Sequence, residues 1–202
     1  MIIVLILSCQ KNAERRLNQT WAKHSFVYYV VGDPDMEEDY KREDNILYVK
    51  CEDDICHLPK KFICGLNVVN TLFEYKYVYV TEDDYMICKS TLFRDIYVAM
   101  EKYKGDYGGT NCMINEEKMA GAFKKHDDFP FTVMLKPCSY MKKGLIVLSH
   151  KSVLDLLSKR EDIEKEYVCD YAIGYHLDKT LKRVLLNTDN FVLHWRKYLR
   201  KI

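Results

Sequence analysis

The chain has 202 residues, of which 48% are hydrophobic, and its formal net charge is +1, since 31 lysines and arginines accompany 30 acidic residues. This length and apolar content are typical of one globular domain with a full core, so we expect a single domain over residues 1–202. The near-neutral charge lacks the basic footprint of a nucleic-acid-binding protein, and we therefore expect no nucleic-acid partner.

The first apolar run, residues 2–7, is too short for a membrane span and lacks the basic flank of a signal peptide. We therefore expect no membrane span, and a cytoplasmic, soluble enzyme or the excised domain of a larger protein. The eight cysteines are scattered, and without an export signal they are expected to be reduced core residues. Cys51, Cys56, His57 and Cys64 have the residue types of a zinc site, but their spacing argues against one.

Residues 1–90, the expected nucleotide-binding half, alternate between β-rich runs and helical patterns. The clearest helix has Phe62, Leu66, Val69 and Phe73 at three- and four-residue steps, which is the apolar stripe of an amphipathic helix. Alternation of this kind predicts a mostly parallel sheet with right-handed crossovers. In chain order we predict a strand at 2–7, a helix at 13–23, a strand at 26–31, an exposed acidic loop at 35–44, a strand at 46–49, a helix starting near Pro59 and a strand at 77–80.

Residues 91–202, the expected acceptor-side half, are less regular. Two of their strands are predicted to pair antiparallel, at 131–135 and 145–149. The predicted fold class is therefore α/β, with a mostly parallel central sheet flanked by helices and a smaller antiparallel part. The other predicted elements are a helix at 91–103, a polar loop at 115–128, a helix that begins at Ser152 in a capping box with Asp155, a helix at 163–177, and short strands at 184–186 and 191–193.

Three consecutive carboxylates, Glu82, Asp83 and Asp84, follow the strand at 77–80 and precede another apolar run. Adjacent like charges repel, and a bound cation relieves that repulsion. Oxygen ligands favour a hard ion, Mg²⁺ or Mn²⁺, of the kind that holds phosphates. In open α/β sheets, ligands bind beyond the carboxyl ends of the strands, where these acids lie. The alternative is an acidic turn between two strands, and the spacing alone leaves both open.

The same rule directs attention to the segment after the first strand. Leu7 and Ser8 end that strand, and Arg16 is the best charged candidate for a nucleotide contact, with a solvated helix arginine as the alternative. Gly108 and Gly109 form a second candidate. Paired glycines beside a strand indicate a backbone that a ligand or another chain segment approaches closely, and a plain turn is an equally good interpretation.

Three residues of the C-terminal half complete the candidates. Asp170 interrupts the apolar face of the helix predicted at 163–177, so it must be paired, cap something or face a cavity, with a salt-bridged core aspartate as the alternative. His194 follows a strand, and a neutral imidazole is a ligand for metals such as Mn²⁺, although a lone histidine is more often structural. Lys197 belongs to a basic tail that could neutralise a phosphate or be merely solvated.

Several motifs, in order, carry a family resemblance over residues 2–195. They are an arginine-rich segment that ends in Thr-Trp, a strand that ends in glycine, an acidic triplet, two later strands and a late acidic helix. Together they resemble the β-1,3-galactosyltransferase and Fringe family, glycosyltransferase family 31, which has the GT-A fold. The chain is also similar in size to the small soluble glycosyltransferases of large algal viruses. The segments that carry the resemblance are 15–21, 30–32, 81–84, 107–109, 144–149 and 170–174.

The resemblance implies a metal-dependent, inverting glycosyltransferase that uses a nucleotide sugar, most simply a UDP-sugar, and a glycan or glycoprotein acceptor. It implies Asp84 and His194 as ligands of Mn²⁺ or Mg²⁺ and Asp170 as the catalytic base. The chain departs from the family at Glu82, where an aspartate is usual, which leaves open whether Glu82 binds the metal directly. It also has Cys169 where an acid often precedes the late aspartate, and it lacks the membrane anchor, stem and disulfide framework of the Golgi enzymes.

Two other kinds of function fit the same residues. One is a different enzyme on a similar sheet, either a nucleotidyltransferase, which would release pyrophosphate, or a retaining sugar transferase, which would not need Asp170 as a base. The other is a module that binds a nucleotide or glycan without catalysis, in which variants of Asp84 and Asp170 would have no turnover to lose.

Overall fold

A computed structural model describes residues 1–87, 91–119, 133–142, 144–186 and 192–194. It confirms the predicted fold class, because a mostly parallel central sheet is flanked by helices and accompanied by small antiparallel pairs. The strands are β1 (Ile2–Leu7), β2 (Val27–Gly32), β3 (Tyr40–Glu43), β4 (Ile46–Val49), β5 (Tyr77–Glu82), β6 (Tyr85–Ile87), β7 (Tyr107–Gly109), β8 (Asn111–Ile114), β9 (Lys118–Met119), β10 (Met134–Leu135), β11 (Cys138–Met141), β12 (Ile146–Ser149), β13 (Arg183–Leu185) and β14 (Val192–His194).

The helices lie on both faces of the sheet, as the alternation in the first half of the sequence predicts. None of the described helices is long and apolar enough to cross a membrane. The α-helices are α1 (Ala13–Asn18), α2 (Leu58–Leu72), α3 (Leu92–Tyr103), α4 (His150–Leu157), α5 (Arg160–Ile163) and α6 (Cys169–His176).

Within the described residues, eight strands form the central sheet in the order β13-β7-β12-β5-β1-β2-β4-β3. The middle of this sheet is parallel, since β1 pairs with both β2 and β5, and β2 pairs with β4. The pairing aligns Leu7 with Val30 and Glu82, and Gly32 with Val49, so four strands end together at one edge. Ligand sites in such sheets form at the carboxyl edge, which positions the candidate site.

The apolar alternation along β1 divides its side chains between two core layers. Ile3 and Leu5 face α2 and contact the stripe that includes Phe62, whereas Val4 and Ile6 belong to the layer under α3. Each of these side chains is almost completely buried. Burial of one such side chain contributes about 1.5–3 kcal/mol, so the two layers fix the strand edge firmly.

Gln19 breaks the helix that was predicted at 13–23. Helix α1 ends at Asn18, Gln19 has a non-helical backbone with φ −86° and ψ 83°, and a short 3₁₀ turn follows at Thr20–Lys23. The side chain of Gln19 is 1% exposed. Its amide donates to the Asp83 carbonyl over 2.7 Å and accepts from the Tyr29 hydroxyl over 2.9 Å. These inward hydrogen bonds override local helix propensity.

The exposed loop predicted at 35–44 is wrong in its second part, where β3 pairs antiparallel with β4. A two-residue turn joins the strands, and Asp44 adopts a φ of 52° in it. Asp and Asn tolerate this left-handed backbone, which tight hairpins require. The charged residues of β3 remain exposed, as is usual for an edge strand.

The predicted antiparallel pairing of 131–135 with 145–149 is also wrong. Strand β12 instead lies between β5 and β7, antiparallel to both, while the described part of the other segment, β10, pairs with β9. Ile146, Val147 and Leu148 are all buried. A strand with apolar side chains on both faces fits the interior of a covered sheet.

The helix predicted at 163–177 is wrong in its first part, because α5 ends at Ile163, residues 164–168 are not helical, and α6 begins only after Val168, its extended N-cap residue. The capping box predicted at Ser152 is also wrong, because Ser149 caps α4 and accepts from the Ser152 N–H over 3.2 Å. Apolar spacing indicates which residues are buried, but the caps decide where a helix begins. Asp170 therefore lies in the first turn of α6 rather than in mid-helix.

Helix α6 packs closely on β11 at Gly174. A Cβ atom at this position would lie 2.2 Å from Tyr140 Cβ and 2.6 Å from Tyr140 Cα. Backbone and Cβ atoms cannot move aside as the end of a flexible side chain can. Only glycine therefore allows this approach, which sets the position of α6 and of Asp170 at its start.

We expect Gly174→Ala to destabilise the fold by about 1–3 kcal/mol because of this overlap. The sign of this stability change tests the close packing, because in a helix without such a contact alanine is more stable than glycine by about 1 kcal/mol. Urea denaturation measures the difference. Val98→Ala, on the exposed side of α3, is the control and should shift stability by less than about 0.5 kcal/mol. An unchanged or more stable Gly174→Ala variant would contradict the close packing.

Candidate active site

A cleft of about 440 Å³ opens at the carboxyl ends of β1 and β5. Its walls are the segment after β1, the connection between β4 and α2, the start of α2 and the acidic triplet after β5. The structure thus brings Leu7 and Ser8 together with Glu82, Asp83 and Asp84, although up to 77 residues separate them in the chain.

The described lining of this cleft is rich in charge, with five carboxylates and three cationic side chains, an excess of two negative charges. Excess negative charge in a confined cleft attracts a cation, and carboxylate oxygens suit hard divalent ions. The charged residues are Asp53, Asp54, Glu82, Asp83 and Asp84, with Lys11, Arg15 and Lys61.

Asp83, the middle acid of the triplet, is 5% exposed and is held by the segment after β1. Its Oδ2 accepts from Ser8 Oγ over 2.6 Å and from Asn12 Nδ2 over 2.9 Å, and its Oδ1 accepts from Arg15 Nη1 over 2.8 Å. The main chain of Asp83 is held as well, because the Gln19 side-chain amide donates to the Asp83 carbonyl. Hydrogen bonds to a charged group contribute about 1.5–3 kcal/mol each, so Asp83 ties β1 to the end of β5.

Arg16, the predicted nucleotide contact, lies beside the other arginine of α1 but points elsewhere. It donates to the carbonyl of Cys9 and to Ser8 Oγ, the latter over 3.2 Å, and its guanidinium lies 6.0 Å from the centre of the Tyr29 ring. It lines a second cleft of about 340 Å³ that also includes Gln10. The two arginines therefore serve adjacent clefts on either side of the β1 end.

Buried Lys61 and partly buried Asp53 form an ion pair that the sequence interpretation missed. Lys61 Nζ donates to Asp53 Oδ1 over 2.6 Å and to the Ser8 carbonyl over 2.8 Å. Asp53 also accepts from the main-chain N–H groups of Gln10 over 2.6 Å and Gly32 over 2.9 Å. The pair therefore joins the ends of β1 and β2 to the segment that precedes α2.

The spacing of residues along α2 indicates that Lys61 lies on a buried face of the helix. It lies three residues after Leu58 and four before Gly65, on a buried face of α2. A cation on such a face needs a partner, by the argument that singled out Asp170. The identity of that partner depends on how β4 and α2 are connected in space, which spacing does not reveal.

Asp170 is 9% exposed at the start of α6, where its Oδ1 accepts from the Tyr171 N–H over 3.1 Å. The helix N-terminus stabilises an ionised carboxylate at this position. Asp170 also lines a small cavity of about 20 Å³ together with Glu82, Thr81 and Gly144. The structure thus places the predicted base beside the first acid of the triplet.

Glu82 and Asp84 both line the large cleft. Strand β14 pairs antiparallel with β6, which puts the His194 backbone opposite Tyr85, the residue after Asp84. The His194 side chain and the whole of Lys197 lie outside the described residues. In the described ranges, no group of three or more histidine, cysteine or acidic side chains is arranged to hold a metal.

Gly108 and Gly109 lie in β7, and the described lining of the large cleft does not include them. A Cβ at Gly108 would lie 2.7 Å from Met100 Sδ, and a Cβ at Gly109, whose φ is +154°, would lie 2.8 Å from Met141 Cβ. Of the interpretations offered by the sequence, these contacts favour close approach by other segments of the chain.

Burial and charge shape the acid–base properties around the cleft. Burial, with the nearby carboxylates of Asp53 and Asp83, raises the pKa of the Cys9 thiol above its usual value. Burial likewise raises the pKa of Tyr29, whose hydroxyl binds Gln19. Both groups are therefore protonated at neutral pH and act as hydrogen-bonding or packing groups, not as nucleophiles.

We expect Asp83→Asn to lower the free energy of unfolding by about 1.5–3 kcal/mol, because the amide cannot accept all three hydrogen bonds and loses the ion pair with Arg15. Glu14→Gln, which changes an exposed acid of the same segment, should shift it by less than about 0.5 kcal/mol. Urea denaturation at pH 7 compares the two. Equal stability would show that the segment after β1 does not depend on Asp83.

Comparison with known proteins supports the fold. No family model matches the chain, and no curated protein matches it in sequence. The structure is similar to that of bifunctional IspDF from Campylobacter jejuni, with a TM-score of 0.52 and 10% identity over 100% of this chain and 54% of that one. The chain therefore spans about half of that protein's length, and at this identity the similarity shows a shared fold.

Two further solved structures resemble the chain more distantly. One is a glycosyltransferase involved in the glycosylation of the major capsid of PBCV-1, with a TM-score of 0.44 and 9% identity over 92% of this chain and 83% of that one. The other is residues 1–349 of TarS from S. aureus, with a TM-score of 0.48 and 12% identity over 94% of this chain and 59% of that one.

Proposed function

We propose that this chain is a metal-dependent, inverting glycosyltransferase that transfers a sugar from a nucleotide sugar, a UDP-sugar, to a hydroxyl of a glycan or glycoprotein acceptor. One observation carries the proposal. Glu82 lines both the charged cleft at the β1 end and the small cavity that Asp170 also lines. In this proposal the nucleoside diphosphate and the candidate base would meet at the end of one strand.

The donor would lie across the carboxyl ends of β1 and β2. Leu7 and Ser8 line the large cleft and Arg16 the adjacent one. Together these three residues would contact the nucleoside and its phosphates. The acidic triplet lies where the diphosphate would follow. Lys197 would add a positive charge to the phosphates.

The chemistry of the cleft residues fits a divalent cation such as Mn²⁺ or Mg²⁺. The Asp83 carboxylate accepts hydrogen bonds from Ser8, Asn12 and Arg15. Its role is therefore to hold the segment after β1. We assign Asp84, Glu82 and the imidazole of His194 as metal ligands, a set that Mn²⁺ accepts. A metal bound there would stabilise the charge on the departing nucleoside diphosphate.

Asp170 would accept the proton of the acceptor hydroxyl as that hydroxyl attacks the anomeric carbon. A single displacement opposite the departing diphosphate inverts the anomeric configuration. The cavity of about 20 Å³ beside the carboxylate is of the size that one water occupies. It therefore suits the approach of a single hydroxyl group and limits the access of bulk water to the base.

The first test is a panel of nucleotide sugars with Mn²⁺, scored for donor hydrolysis and for the rise in melting temperature. We expect hydrolysis of at least one UDP-sugar, and loss of that hydrolysis both with a chelator and in Asp84→Ala. This variant should stay folded, because Asp84 lines the cleft. Glu161→Ala, an exposed acid of α5, is the matched control and should retain activity. Full turnover with a chelator would exclude the metal, and pyrophosphate release would indicate a nucleotidyltransferase.

Asp170→Asn tests the mechanism, because it keeps the size and polarity of the side chain but removes its capacity to accept a proton. We expect the transfer rate to fall by about 10²–10⁴-fold, the usual effect of losing a general base. Donor affinity, measured by calorimetry, should hardly change, and the wild-type product should have inverted configuration by NMR. Transfer at nearly the wild-type rate, or a product with retained configuration, would end the single-displacement mechanism.

A further inference from the structure

Lys61 is the only buried lysine or arginine among the described residues, with 1% of its surface exposed. Removing an ammonium group from water is costly unless it is paired and hydrogen-bonded. Lys61 meets both conditions, since it donates to Asp53 over 2.6 Å and to the Ser8 carbonyl over 2.8 Å.

The hydrogen bonds of the pair end on main-chain atoms at the edge of the sheet. Lys61 holds the carbonyl of Ser8, just after β1, and Asp53 holds the N–H groups of Gln10 and Gly32. Gly32 is the last residue of β2. One ammonium and one carboxylate therefore fix the relative positions of two strand ends and of the segment that follows β4.

The contacts of Gly32 show how tightly this segment is seated. A Cβ at Gly32 would lie 2.8 Å from the Cys51 carbonyl oxygen and 2.9 Å from that of Glu52. The segment after β4 thus crosses directly over the end of β2. Asp53 follows immediately, and its two oxygens accept from the N–H groups of Gln10 and Gly32.

Stability alone does not require a lysine at this place. A well-packed apolar side chain of similar volume often replaces a buried ion pair without loss of stability. The ion pair additionally fixes the positions of particular main-chain groups, since Lys61 binds the Ser8 carbonyl and Asp53 binds the N–H groups of Gln10 and Gly32. Ser8 borders the large cleft and Gln10 the adjacent one.

We propose that Lys61 is a positioning residue for nucleotide binding. Through Asp53 and the Ser8 carbonyl, it holds the ends of β1, β2 and β4 at the spacing that the nucleotide of the donor requires, without itself contacting the reacting atoms. The inference rests on the proposed function, because the two clefts are the donor site only in that case. It adds a residue that neither the acidic triplet nor the family resemblance indicates.

The test compares Lys61→Met with Lys159→Met in the full chain. Lys159 makes the same kinds of bond in another part of the fold, with Asp155 over 2.8 Å and with the His176 carbonyl over 2.8 Å. Titration calorimetry with UDP and Mn²⁺, well below both melting temperatures, measures the nucleotide affinity. We expect Kd to rise about 10- to 100-fold in Lys61→Met, the scale of a small misplacement of binding groups, and to change less than about twofold in Lys159→Met.

Transfer kinetics separate positioning from a general loss of folded protein. For Lys61→Met we expect a higher KM for the donor and a kcat within about threefold of wild type, since the base and the metal ligands are intact. If Lys61→Met does not fold, Lys61→Met with Asp53→Asn, which also removes the partner's charge, takes its place.

The outcomes distinguish the two proposals. Wild-type protein that binds no UDP overturns the proposed donor. Wild-type binding with unchanged affinity in Lys61→Met overturns the inference alone, as does failure of both Lys61 variants to fold, because the pair would then be a folding element.

Discussion

The carboxylate of Asp83 joins the two strand ends on which the candidate site depends. Ser8, Asn12 and Arg15 converge on it from the segment after β1, and Gln19 binds its carbonyl. All three acids of the triplet line the cleft, and Asp83 in addition holds the segment after β1 in place. The triplet therefore includes a structural anchor, Asp83, which its residue types alone do not reveal.

The parts of the fold that the sequence predicted are those with a strong local pattern. The apolar run of β1 and the stripe that includes Phe62 in α2 each specify an element without reference to the rest of the chain. The acidic triplet was found in the same way, since three charges between apolar runs are a local signal. Asp170 was recognised as unusual on its face, although its helix begins later than predicted.

The features that the sequence did not predict depend on contacts between distant segments. Gln19 leaves the helix because Tyr29 and Asp83 offer its amide better partners than solvent does. Strand β12 inserts between β5 and β7 because of burial on both faces, which no hairpin rule anticipates. The pairing of Lys61 with Asp53 cannot be predicted without knowing that the segment after β4 crosses the end of β2. In each case the deciding energy lies in long-range burial or hydrogen bonding, not in local propensity.

The position of β12 in the sheet has a consequence for how the molecule is made. Among the described strands, β7 has only β12 and β13 as neighbours, and both follow it in the chain by 37 residues or more. During synthesis β7 must therefore wait outside the sheet until those strands emerge. Pairings between distant segments form slowly, because loop closure precedes the contacts that compensate for it. One edge of β5 also waits for β12 during this interval, and an unpaired strand edge of this kind favours aggregation while the chain is incomplete.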